Sequence, residues 1–210
     1  MENDVMKTGT TTVGIIAKDC IVLAADKRST AGNFIADRKV DKIIQVNDFM
    51  ALTTAGLVSD IQLVVKIIKA ELALKEVRTA KQSKVKEAAN LAAGLVYSNI
   101  RKLSMIPGVI HFLFAGYDNS GIHLYDIYPD GAITEIEEFV SSGSGSPMAY
   151  GVFESLYKKN LTQDQAVELA LKAINSAIRR DSASGEGIDV VIVDGKGVRK
   201  ILSKELKFAE

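Results

Sequence analysis

The chain has one cysteine, two histidines and three prolines in 210 residues, and each scarcity excludes something. Cys20 has no partner within the chain, so an intrachain disulfide is ruled out and a reducing compartment such as the cytoplasm is compatible. Lying inside an apolar run, Cys20 reads as packing rather than chemistry. His111 and His123 fall in strand patterns with no Cys, Asp or Glu at ligand spacing beside them, which argues against a metal site. Neither stands in a triad-like context, which argues against a Ser-His-Asp hydrolase. No Pro-, Gly- or Ser-rich linker divides the chain, so it reads as one domain with a substantial core. No stretch approaches the ~18 apolar residues of a membrane span. The leader from Met1 to Gly9, with Glu2 and Asp4, lacks the apolar segment of a secretory signal. Lys+Arg and Asp+Glu balance at 26 each, which removes the electrostatic case for nucleic acid or an anionic membrane.

What is present begins with Gly9-Thr10-Thr11-Thr12-Val13-Gly14, where the polar leader turns into a strand pattern. Termini usually fray, so a strand this early invites a chemical reading beside the plain one. Plainly, the threonines are β-formers behind a frayed tail. Chemically, cleavage between Gly9 and Thr10 would leave a hydroxyl nucleophile and a free α-amine on one residue. Such an amine titrates at about 7.7–8.0, where a general base is well poised.

Residues 10–17 and 20–25 read as strands, the second apolar on both faces and therefore covered on both sides. Asp26 follows on the Val22/Ala24 face, either as a carboxylate at a core rim or as part of a solvated Asp26-Lys27-Arg28 turn. Ala31-Gly32-Asn33 is a turn. A strand over 39–46 sets Lys42 on the apolar face of Ile44 and Val46, where a lysine either snorkels out or is buried and paired with a depressed pKa. A strand over 50–55 is closed by Gly56, and the spacing of Leu57, Ile61, Val64, Val65, Ile68 and Leu72 predicts a helix directly after it. The Gly56 amide either belongs to a plain turn or points off the helix N-terminus, free to donate to an oxyanion. A second helix is predicted from Ser83 as N-cap to about Leu103, with Leu103 on its buried face. Strands over 109–116, 121–128 and 132–139 make a meander.

The serine- and glycine-rich run 141–147 is a linker or a loop pressed near a site; it is no phosphate loop, since no Gly-Lys-Ser/Thr ends it. Ser146 reads as the N-cap of a third helix with Pro147 at its first position. Thr162 and Gln165 form a capping box for a fourth. That helix ends in Arg179-Arg180-Asp181, and an aspartate at the negative end of a helix dipole needs another partner. Strands over 188–193 and 198–202 close the chain. Strand runs alternating with helix pairs imply two sheets face to face with a helix pair outside each.

Six segments taken together carry a resemblance: Gly-Thr-Thr-Thr-Val-Gly at 9–14, Ala-Ala-Asp-Lys-Arg at 24–28, Lys42, Ala-Gly-Leu at 55–57, Gly-Ser-Gly-Ser-Pro at 143–147 and Arg-Asp-Ser-Ala-Ser-Gly at 180–185. In this order, over nearly the whole chain, they resemble the β subunits of the archaeal proteasome core particle. The resemblance implies the N-terminal nucleophile hydrolase fold, a four-layer αββα sandwich of two mainly antiparallel sheets. It implies threonine-type endopeptidase activity in a domain spanning 10–210, after autocatalytic cleavage between Gly9 and Thr10 removes propeptide 1–9. At the matching positions Thr10 is the nucleophile, with its freed amine as base through a water. Lys42 lowers the pKa of the Thr10 hydroxyl, Asp26 holds Lys42, and Ser144, Asp181 and Ser184 orient the amine and water. The Gly56 amide is the oxyanion donor. A substrate would lie extended along Thr30 to Gly32 and Gly56, with Val40, Thr54 and Val58 lining the first specificity pocket and Ser29 at its edge. The implied partners are other β subunits in a heptameric ring, α-subunit rings, an unfolding ATPase acting through the α ring, and unfolded polypeptide substrates. No cofactor, metal, nucleic acid or membrane is implied, and the implied location is the cytoplasm. A rival is a ring-building subunit without activity; such subunits usually lose the threonine, the lysine or the cleavable glycine, and all three stand here.

Overall fold

Strand β2 (Ile21–Asp26) is buried along its whole length, as two apolar faces require. Val22 and Ala24 pack beneath helices, while Ile21, Leu23 and Ala25 meet a second sheet. The computed structural model describes residues 9–205, so the expected propeptide ahead of Gly9 lies outside the described residues.

Around β2 one antiparallel sheet runs in the order β10-β1-β2-β11-β12, with β1 at Thr12–Ile16, β10 at Phe139–Ser142, β11 at Gly187–Asp194 and β12 at Gly197–Glu205. The facing sheet, also antiparallel, runs β5-β6-β7-β8-β9 through Ile43–Asn47, Met50–Gly56, Ile110–Asp118, Gly121–Ile127 and Ile133–Ile136. A small hairpin, β3 (Ser29–Ala31) and β4 (Phe34–Asp37), stands apart from both. Helices α1 (Val58–Thr79) and α2 (Val85–Ile100) cover the second sheet. Helices α3 (Ser146–Leu156) and α4 (Gln163–Arg180) cover the first. Three apolar cores result, one between the sheets and one under each helix pair, giving the four αββα layers anticipated from the alternation of strand runs and helix pairs. No helix among the described residues is long and apolar enough to cross a membrane.

Several expectations need correction. The strand predicted over 132–139 is two strands in different sheets: β9 pairs with β8, and after Glu137-Glu138 the chain crosses to pair β10 with β1. Phe139 is the anchor of that crossing, with its ring against Phe153 and Tyr157. The second helix is capped at Lys84, not Ser83. Its free amides are taken by carboxylates, Val85 N by Asp118 and Lys84 N by Glu87. It stops at Ile100, so Leu103 lies in the following loop, fully exposed rather than buried. The third helix is capped at Gly145; Ser146 is already helical and its hydroxyl turns back to the Gly143 carbonyl. Thr162 and Gln165 do close a capping box on α4.

Candidate active site

The end of β2 delivers Asp26, 1% exposed, to the point where the two sheets, the β3 hairpin and the loop after α4 converge. Five donors meet its two oxygens. Oδ1 accepts from Lys42 Nζ at 2.6 Å, Thr11 N at 2.9 Å and Thr10 Oγ1 at 3.1 Å. Oδ2 accepts from Gly185 N at 2.9 Å and Arg28 N at 3.1 Å. A carboxylate, which only accepts, is the group suited to such a load. The solvated-turn reading of Asp26-Lys27-Arg28 fails: Lys27 is buried against Asp189 at 2.8 Å, and the Arg28 guanidinium donates to Glu186 and to the Ser182 carbonyl.

Lys42 is buried, not snorkelling. Regular strand begins only at Ile43, so alternation along β5 does not aim Lys42 toward Ile44 and Val46; its ammonium reaches Asp26 on the other sheet. Its backbone is fixed by β6, since the Lys42 carbonyl accepts from Thr54 N at 2.8 Å and from Thr54 Oγ1 at 3.3 Å. Burial lowers the Lys42 pKa below the ordinary lysine value, and the Asp26 carboxylate opposes that shift in part.

A second cluster adjoins the first. Asp181, the aspartate at the wrong end of the α4 dipole, finds its partners here: Ser184 Oγ donates to Oδ2 at 2.6 Å and Ser144 Oγ at 2.7 Å. Ser184 thereby leaves its oxygen to accept from Thr11 Oγ1 at 2.6 Å. Ser144 Oγ accepts from Thr10 N at 3.3 Å. The serine-rich run is therefore a loop pressed onto the site and not a linker. Gly143 makes that approach feasible: it sits at φ 94°, and a Cβ there would lie 2.1 Å from the Thr10 carbonyl oxygen. Gly9 is equally confined, since a Cβ would fall 1.9 Å from Ala183 Cβ.

The structure thus joins Thr10, Asp26, Lys42, Ser144, Asp181 and Ser184 through one continuous set of hydrogen bonds. Thr30 and Thr54 border it, the first accepting from Gly9 N and the second holding Lys42. Val40 N donates to the Lys27 carbonyl, beside the cluster. Gly56 ends β6 opposite Ile110, Val58 opens α1 half-exposed, and Ser29 and Gly32 stand on the β3 hairpin; these four are on flanking elements, without a hydrogen bond into the cluster among the described residues. Thr11, Gly185 and Arg28 were not singled out by sequence. The donors from Thr11, Gly185 and Arg28 to Asp26 are backbone amides, which no residue type announces.

Residues 6–193 match the family model described as proteasome subunit. The chain belongs to the proteasome subunit family. Its relatives named proteasome subunit beta include that of Ferroglobus placidus, 44% identical over 207 residues, which cover 99% of this chain and 97% of the relative. That of Archaeoglobus fulgidus is 46% identical over 183 residues, covering 87% and 84%. That of Methanosarcina barkeri is 39% identical over 207 residues, covering 99% and 96%. The αββα sandwich of this proteasome subunit is accordingly the N-terminal nucleophile hydrolase fold.

Proposed function

We propose that this proteasome subunit is a threonine endopeptidase whose nucleophile is the Thr10 hydroxyl and whose base, the Thr10 α-amine, is unmasked when the chain cuts its own Gly9–Thr10 bond. One observation carries the reading: Thr10 Oγ1 and Lys42 Nζ share a single oxygen of buried Asp26, immediately after a glycine that tolerates no side chain. Before cleavage the Thr10 nitrogen is an amide without a basic lone pair, so the proton acceptor within reach of the hydroxyl is Asp26. Thr10 Oγ attacks the Gly9 carbonyl carbon, the bond from that carbon to the Thr10 nitrogen breaks, and the nitrogen takes up the proton. The amine is then free beside Ser144 Oγ, and water hydrolyses the resulting ester, releasing the leader as a carboxylate and restoring the Thr10 hydroxyl.

In the mature form that amine acts as general base through a water oriented by Ser144, Asp181 and Ser184. The Lys42 cation favours the developing alkoxide, and Asp26 holds it in place. An extended polypeptide would lie against the backbone of Thr30 to Gly32 and Gly56 as an added strand. The Gly56 amide would receive the oxyanion, a contribution typically worth about 2.7–4 kcal/mol for one donor. Val40, Thr54 and Val58, with Ser29 at the edge, would form the first specificity pocket. The substrates would be unfolded polypeptides in the cytoplasm, passed by an unfolding ATPase through α-subunit rings to a heptameric β ring. Hydrolysis of a fluorogenic peptide by the assembled particle tests the reading. Activity in the wild type and its loss, by at least about a thousand-fold, in Thr10→Ala is expected; equal activity in both contradicts it.

A further inference from the structure

One hydrogen bond at the edge of the cluster serves none of these steps. Gly9 N donates to Thr30 Oγ1 at 3.0 Å. Thr30 is 5% exposed between a half-buried Ser29 and an exposed Ala31. The β3–β4 register shifts between Ser29 and Thr30, and a break of that kind re-aims a side chain. On the other flank of the same peptide, Thr10 N donates to Ser144 Oγ at 3.3 Å. The backbone nitrogens of Gly9 and Thr10, one on each side of the Gly9 carbonyl, are therefore held by hydroxyls from elements far apart in sequence, and Gly9 packs against Ala183.

We infer that the Thr30 hydroxyl is a positioning group for removal of the leader, fixing Gly9 so that its carbonyl stays in register with the Thr10 hydroxyl. The inference rests on the proposed self-cleavage and adds to it a residue that touches none of the reacting atoms. In that step the Thr10 Oγ–carbon bond forms, the carbon–nitrogen bond breaks and the proton ends on the nitrogen; Thr30 exchanges neither proton nor electrons. Its contribution is orientation, which weighs heavily where reacting groups must be aligned.

Two variants of the full-length precursor separate hydroxyl from shape. Thr30→Val keeps the β-branched volume and removes the acceptor; Thr30→Ser keeps the acceptor and removes the methyl. Leader loss is followed by intact mass during assembly. The expected result is release about two- to ten-fold slower in Thr30→Val, the range spanned by one ordinary hydrogen bond, and release at the wild-type rate in Thr30→Ser. Wild-type release by Thr30→Val, or a Thr30→Ser variant as slow as Thr30→Val, overturns the inference and leaves self-cleavage standing. A wild-type chain that never loses its leader sinks both.

Discussion

Lys42 is the residue on which the electrostatics of the site turn. Its ammonium is buried, and burial lowers its pKa from 10.5 despite Asp26 at 2.6 Å. Between that lowered value and 10.5, the unfolded chain binds a proton that the folded chain has released, so stability rises with pH across this window. The same shift bears on the proposed activity. Peptide hydrolysis by the mature form should fall on the acid side as the Thr10 amine protonates. It should fall on the alkaline side as Lys42 loses its charge, below the ordinary lysine value. The pH profile of kcat/KM checks this; an alkaline limb at or above the ordinary lysine value would contradict the role given to Lys42. Much of this was legible beforehand: an aspartate at the foot of a helix and a lysine in an apolar strand are both misplaced unless paired, and each finds its partner in the cluster. The aim of Lys42 was not legible, because it depends on where regular strand begins.

At the scale of elements, spacing identified buried faces well and ends poorly. Ile61, Val64, Val65, Ile68 and Leu72 all point into the core, as three-and-four spacing requires. Ser83 and Ser146 fail as caps because other partners compete: Asp118 supplies the carboxylate at α2, and the Ser146 hydroxyl turns back to the Gly143 carbonyl three residues earlier. The break between β9 and β10 escaped because no proline or glycine marks it; only pairing with β1 draws the chain into the other sheet. The loop after β10 is the element most sensitive to change. Gly143→Ala must move a Cβ away from the Thr10 carbonyl at a φ of 94°, where a side chain is strained. Destabilisation by about 1–3 kcal/mol is expected. A fall in kcat/KM should accompany it, because Ser144 shifts with the loop. Thermal unfolding and peptide hydrolysis measure the two effects, and an unchanged variant would show that the loop does not set the position of Thr10.

Across the whole molecule, the sandwich serves to bring distant segments to one corner. Thr12, Ser142 and Thr53 link their hydroxyls across the inter-sheet space, with Thr53 Oγ1 donating to Thr12 Oγ1 at 2.9 Å. This polar tie pins the start of β1 against the second sheet beside the strand pair that carries Lys42. Thr10 emerges from β1 already between the end of β2 and the loops after β10 and α4. That layout makes the fate of the first peptide bonds the central question. Intact-mass analysis with N-terminal sequencing of the assembled wild-type protein answers it most directly. Loss of residues 1–9, with Thr10 as the first residue, is the predicted result; an assembled, fully active particle that retains Met1 to Gly9 would contradict the account.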